Sequence, residues 1–286
     1  MLLGGCMTET DYTKGPHKLN RETLRLLYFL GAFSFLVILS AAALPPIAQP
    51  HDYHGFADQR RLLGIPNFMN VASNLAILFS GIAGLFCLRH ITGSRHEFNR
   101  RPFRTSAEVW PYRIFFLSIV MTALGSACYH WHPDNTALLW DRLPIAIGIM
   151  ALLAATLSER VDPKLGFHLL PVLVSIGAAS VLYWYWSEQQ GAGNLNFYIV
   201  IQFYSLLLIA LLSLMLPTAY THGNRVLQAI GFYALAKVAE TLDQQIFTLG
   251  QIVSGHTLKH LIAALAIWWI VRMLQERTCT DQQNLC

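Results

Sequence analysis

Apolar and polar positions sort the chain into eight long apolar runs separated by short polar breaks, near 25–45, 67–88, 113–131, 138–158, 167–187, 196–216, 225–246 and 256–274. Each run is long enough, or nearly so, to cross a hydrocarbon core that needs about 20 helical residues. The runs are too continuous for barrel strands, whose side chains alternate in polarity. The pattern therefore predicts an all-α integral membrane protein. Pro133, Asp134 and Asn135 supply the turn between the third and fourth runs. The first run, with "ILSAAALPPIA" at its end, resembles a cleavable leader. Its apolar core from Leu26 to Leu44 exceeds the usual leader length of about 7–15 residues, so it is read as an uncleaved anchor.

Composition agrees with this reading. The chain is 54% hydrophobic and 13% charged, against roughly 25% charged in soluble domains. The net charge of +4 does not describe a nucleic-acid surface, because the basic residues have a topological order. Most of the 20 Lys and Arg fall in the head, in alternate connections (Arg89 to Arg113, Arg160 and Lys164, Arg225) and in the tail. The opposite connections hold only Arg60 and Arg61. Positive residues favour cytoplasmic loops, which predicts both termini in the cytoplasm. Five cysteines, Cys6, Cys87, Cys128, Cys279 and Cys286, show neither a disulfide framework nor zinc-knuckle spacing.

With that orientation, polar residues from four helices reach one outer level. Ser126 and His130 end the third run, and Asp141 opens the fourth. Glu240 and Asp243 end the seventh, and His256 and His260 open the eighth. Residues at i and i+4 share a helix face with Cβ atoms about 5–6 Å apart, so Ser126/His130 and His256/His260 are each neighbours. Paired histidines at this spacing grip zinc in metalloprotease helices. With His130 as a third ligand, a fourth tetrahedral position stays open, as in catalytic zinc sites. Asp141 is then placed to move protons and Ser126 to donate a hydrogen bond to a developing oxyanion.

Structural roles compete for some of these residues. Asp141 can pair with Arg142 and Glu240 with Lys237, and polar i,i+4 pairs also pack helices. His132 is read as a turn residue. His17, His90, His96, His168 and His222 fall at the cytoplasmic end. Tyr183, Trp184, Tyr185 and Trp186 read as an interfacial aromatic belt.

"SACYH" (126–130), Asp141 eleven residues after His130, and "GHTLKH" (255–260) together resemble the alkaline ceramidase family. That family belongs to a superfamily of seven-helix membrane hydrolases that includes adiponectin-type receptors. The match in residue type, order and spacing covers about 67–274. It implies a seven-transmembrane-helix core with the helix at 25–45 as an N-terminal addition. The divisions are a polar head 1–24, the added helix 25–45, an extracytoplasmic loop 46–66, the hydrolase-like domain 67–274 and a tail 275–286. "NFMNVASN" (67–74) also resembles the family's entry to its first core helix. There the family carries a calcium site built on acidic residues. Here Asp58, with Asp52 nearby, stands at a ligand position, but Asn67 replaces an expected acid. Calcium wants six to eight hard oxygens, and the alternative is a structured loop with Asn67 capping the helix.

The resemblance implies amide hydrolysis of a ceramide-like lipid to a fatty acid and a sphingoid base. Zinc would be held by His130, His256 and His260, with Asp141 as general base and then acid, and Ser126 at the oxyanion. Two other readings stand beside it: a lipid-sensing receptor with a structural metal, and a metal transporter. A transporter requires polar residues along the whole path, whereas "RIFFLSIVMTAL" and "AALAIWWIV" are apolar. The implied setting is a bacterial inner membrane with a periplasmic-facing site. An organellar membrane with a lumenal site gives the same pattern. The lipid bilayer and a lipid substrate are the expected partners, nucleic acid is not, and oligomeric state has no signal in the sequence.

Overall fold

A computed structural model describes residues 20–50, 52–93 and 102–280. The head through residue 19 (with Cys6 and His17), residues 94–101 (with Arg95, His96, Arg100 and Arg101) and the tail from 281 (with Cys286) lie outside the described residues.

The described chain is all-α. Helix α1 spans Arg21–Ala43, α2 Phe68–Gly93, α3 Val109–Trp131, α4 Asn135–Arg160 and α5 Pro163–Gln189. Helix α6 spans Asn196–Met215, α7 Arg225–Thr241, α8 Asp243–Thr248 and α9 Gly255–Glu276. Among the described residues, seven helices are long and apolar enough to cross a membrane: α1 to α6 and α9. The run at 225–246 does not form one continuous span. It divides at Leu242 into the 17-residue α7 and the six-residue α8.

Local chemistry sets the ends that matter. The Asp134 carboxylate accepts from the Ala137 amide at 2.7 Å and caps α4. Ser254 Oγ accepts from the Thr257 amide at 3.1 Å and caps α9. Side chains of this type satisfy amides that a helix start leaves unpaired.

Helix α4 is the most buried span and packs against α3, α5 and α6. Helices α2, α3, α7 and α9 complete the bundle, with α9 seated between α2 and α7. Helix α1 is largely outside it, burying only Leu30 and Ala41 and touching the first part of α6.

Two glycines let helices approach where the polar cluster forms. A Cβ on Gly125 would intrude on the Trp140 carbonyl of α4. That carbonyl is the one whose helical partner would be residue 144, and Pro144 has no N–H to give it. A Cβ on Gly255 would likewise meet the Ala239 carbonyl and the Asp243 backbone. The first contact sets Ser126 beside Asp141, and the second sets His256 beside the end of α7.

Candidate metal centre

Two helix ends, the last turn of α3 and the first turns of α9, bring His130, His256 and His260 together. All three are buried, and one ring nitrogen from each lies within 4.8 Å of the others. His130 Nε2 and His256 Nε2 are 3.1 Å apart. Two nitrogens on one tetrahedral zinc ion, each about 2.0–2.1 Å from it, are about 3.3 Å apart. His260 Nε2 is buried with no hydrogen-bond partner, a donor atom whose lone pair has nothing to meet. Its other nitrogen, Nδ1, lies 2.8 Å from Ser73 Oγ on α2. Outer partners of this kind fix the orientation of a ligating ring. The donor set and its spacing fit a metal ion. Among the described residues this is the one group of three such side chains so placed.

The loop before α2 closes over the triad. Phe56 sets its ring 4.6 Å from that of His130 and 5.0 Å from that of His256, centroid to centroid. Asp243 anchors both parts, accepting from the Ala57 amide at 2.9 Å and from the His256 amide at 2.7 Å. That double role explains the break in the 225–246 run, since Asp243 turns out of the α7 register to serve two foreign amides. Asn67 has positive φ (48°) and donates its side-chain amide to the His130 carbonyl at 2.8 Å. It therefore tethers α2 to the ligand helix rather than capping α2 with its side chain.

Asp58 lies in this loop, and its carboxyl faces a cation. Arg60 donates to both Asp58 oxygens, at 2.8 and 2.7 Å, and also to the carbonyls of Gln251 and Ile252. Arg60 holds the Asp58 carboxyl below its ordinary value. No carboxylate cluster of the kind calcium requires surrounds Asp58 among the described residues.

Asp141 and Ser126 face one another. Together with His260 they line a cavity of about 270 Å³ between α2, α3, α4, α6, α7 and α9. Taken by position along the helices, the polar lining residues lie toward the end of the bundle that carries the triad and the apolar ones toward the opposite end. Tyr53, Gln202, Tyr233, Lys237, Glu240 and Lys259 share the polar end with these three residues. Phe115, Ile119, Leu152, Leu206, Ile267 and Ile270 line the other. Gln202 sits in a π-helical turn, Val200–Tyr204, and donates to the Tyr233 hydroxyl at 2.7 Å. Such turns often mark functional sites.

The expected Lys237–Glu240 pair forms, but Glu240 has a second partner. Lys259 Nζ lies 2.9 Å from Glu240 Oε1 and 2.7 Å from His256 Nε2. Lys259 and a metal ion would compete for the same imidazole lone pair, and Glu240 is the partner that remains for Lys259 when an ion is seated. Nothing in the 3.6-residue pattern distinguishes Lys259 from a lysine at a helix surface. By contrast, Asn70, Ser73 and Asn74 form a polar stripe at three- and four-residue spacing on one face of α2. Asn70 Oδ1 accepts from Thr257 Oγ1 at 2.9 Å.

Two expectations are corrected. Trp184 is fully buried against Arg142, 4.3 Å from the ring centroid to the guanidinium carbon. It is therefore a core residue, not part of an aromatic belt. Asp141 and Arg142 form no ion pair, because successive residues on a helix point about 100° apart. His132 is exposed at the end of α3, as a turn residue should be.

Fold and site together define a multi-pass all-α membrane protein with a buried histidine triad able to hold a metal ion. No protein-family model matches the chain, and no curated protein matches it.

Proposed function

We propose that the protein is a metal-dependent amidohydrolase of membrane lipids, with zinc as the ion and a ceramide-like amide lipid as substrate. One observation carries the reading. A three-histidine donor set, a carboxylate and a hydroxyl converge at the polar end of a cavity whose other end is apolar. That is the shape an amide lipid requires, with the scissile group at the polar end and the acyl chain between helices. The resemblance of 126–130, Asp141 and 255–260 to the alkaline ceramidases points the same way.

In this reading His130, His256 and His260 hold the ion. Zinc in such a site supplies a Lewis acid and makes water nucleophilic near neutral pH. Asp141 takes a proton from the attacking water and returns it to the departing amine, as the C–N bond breaks and a C–O bond forms. Ser126 turns its single O–H from Asp141 to the carbonyl oxygen as that oxygen gains charge. Phe56 excludes water from the outer side. The apolar walls beyond His260 favour a chain-binding seat over an ion path. With α7 and α8 together making the eighth crossing, the order of basic loops supports both termini in the cytoplasm and the site toward the opposite face, and the setting we propose is a bacterial inner membrane.

Metal analysis of the purified full chain and its His260→Ala variant tests the proposal, with ceramide turnover measured in both. We expect about one zinc per chain and measurable turnover in the wild type, with both lost in the variant. Full metal occupancy in His260→Ala removes the ligand assignment. A zinc-loaded wild type inert toward every amide lipid removes the enzyme.

A further inference from the structure

Arg142 poses a separate problem in the same cavity. It is 4% exposed, yet no carboxylate among the described residues lies within ion-pair distance of it. Its guanidinium carbon sits 4.3 Å from the Trp184 ring centroid, 4.9 Å from that of Tyr53 and 5.1 Å from that of Tyr198. Ring faces offset part of the cost of burying a cation, but a guanidinium has five N–H donors and needs acceptors. Arg142 Nη1 has none, and neither does the buried indole N–H of Trp184. The cavity wall carries Arg142, Lys237 and Lys259 against Asp141 and Glu240. Glu240 is already shared by both lysines, so the wall holds one positive charge in excess. A buried charge with no ion pair is strongly unfavourable, and the cavity that Arg142 lines has room for a counter-charge.

We propose that Arg142 is the seat of an anionic group on the lipid that occupies the cavity. The favoured ligand is an amide lipid whose amine half bears an acid such as a carboxylate. The carboxylate of the released fatty acid is the other source of the same chemistry. The proposal rests on the reading of this cavity as an amide-lipid seat. An acid on the amine half stays at the polar end, one residue along α4 from Asp141, while the acyl chain takes the apolar end. A planar guanidinium suits a carboxylate because two of its N–H groups can meet both oxygens.

The test compares N-palmitoylglycine, the neutral N-palmitoylethanolamine and palmitate on the purified full chain. Kd is read by stopped-flow tryptophan fluorescence ahead of any turnover. The wild type is expected to bind the acidic amide at least tenfold more tightly than the neutral one. Arg142→Gln is expected to bring the ratio of the two Kd values down to about one. Arg142→Lys, which keeps the charge, is expected to recover part of the preference. Palmitate bound more tightly than the acidic amide, with that advantage lost in Arg142→Gln, places the anion on the product and overturns the headgroup assignment. Equal binding of the two amides by the wild type, or a preference that survives in Arg142→Gln, overturns the proposal outright. If Arg142→Gln does not fold, the wild-type ratio decides. Because binding is read apart from turnover, a chain that discriminates but hydrolyses neither amide loses the enzyme reading and keeps Arg142.

Discussion

Ser73 Oγ lies 2.8 Å from His260 Nδ1, and this contact decides which nitrogen of His260 points at the other two imidazoles. Ser73 also donates to the Asn70 carbonyl at 3.1 Å, so it meets Nδ1 as an acceptor and selects the tautomer whose Nε2 lone pair is available. Ser73→Ala is expected to lower metal affinity by about 10–100-fold, the usual effect of removing an outer partner, without unfolding the bundle. Competition against a zinc-binding dye measures this.

Asp141→Asn keeps the shape of the side chain and removes its ability to take a proton. Turnover of an amide lipid should fall by about 10²–10⁴-fold, the range for a positioned general base, while metal content stays at the wild-type level. Unchanged turnover would show that the proton leaves by another route.

Gly125→Ala tests the α3–α4 approach. The added methyl has no space against the Trp140 carbonyl, so the helices must part. Overpacking of this kind costs about 1–3 kcal/mol, and here the displacement falls one residue from Ser126 and five from His130. A lower Tm in detergent together with reduced metal content is the expected result. The same substitution at Gly31, which has open space around it, serves as a control with neither effect.

The Asp58–Arg60 pair gives a pH dependence with a definite sign. Arg60 lowers the folded-state value of the Asp58 carboxyl, so the unfolded chain binds the proton more readily. The pair's contribution is complete above the unfolded value of about 4 and is lost as pH falls through the folded one. Because Arg60 is half exposed, the stabilisation is modest. Proteolytic nicking of the loop at 52–66 should be flat between about pH 5 and 8 and rise only in stronger acid. Asp58→Asn should be nicked faster at neutral pH.

Much of the helical frame follows from hydropathy alone, and the observed ends differ from the apolar runs by a few residues for α1 to α6 and α9. The run at 225–246 misled because Gln244, Gln245 and Ile246 continue a helical pattern. Only the tertiary demand on Asp243, which meets amides at 57 and 256, reveals the break. The histidine triad was legible for a local reason, since i,i+4 spacing and one turn place two of its members and the end of α3 on a common level. Arg142 and Trp184 were not, because the contact between them joins α4 to α5. A tryptophan at a lipid surface and one stacked on a buried arginine look alike in a linear sequence. Lys259 was masked by its own helix, where every fourth residue has a neighbour whatever its purpose.

Phe56 covers the face of the triad that α3 and α9 leave open, and Asp243 pins the loop that carries it. An ion at the three imidazoles would therefore reach bulk solution on that side only when the segment swings aside. A chelator approaching from that side would then remove the ion on a timescale set by loop opening rather than by the strength of its nitrogen bonds.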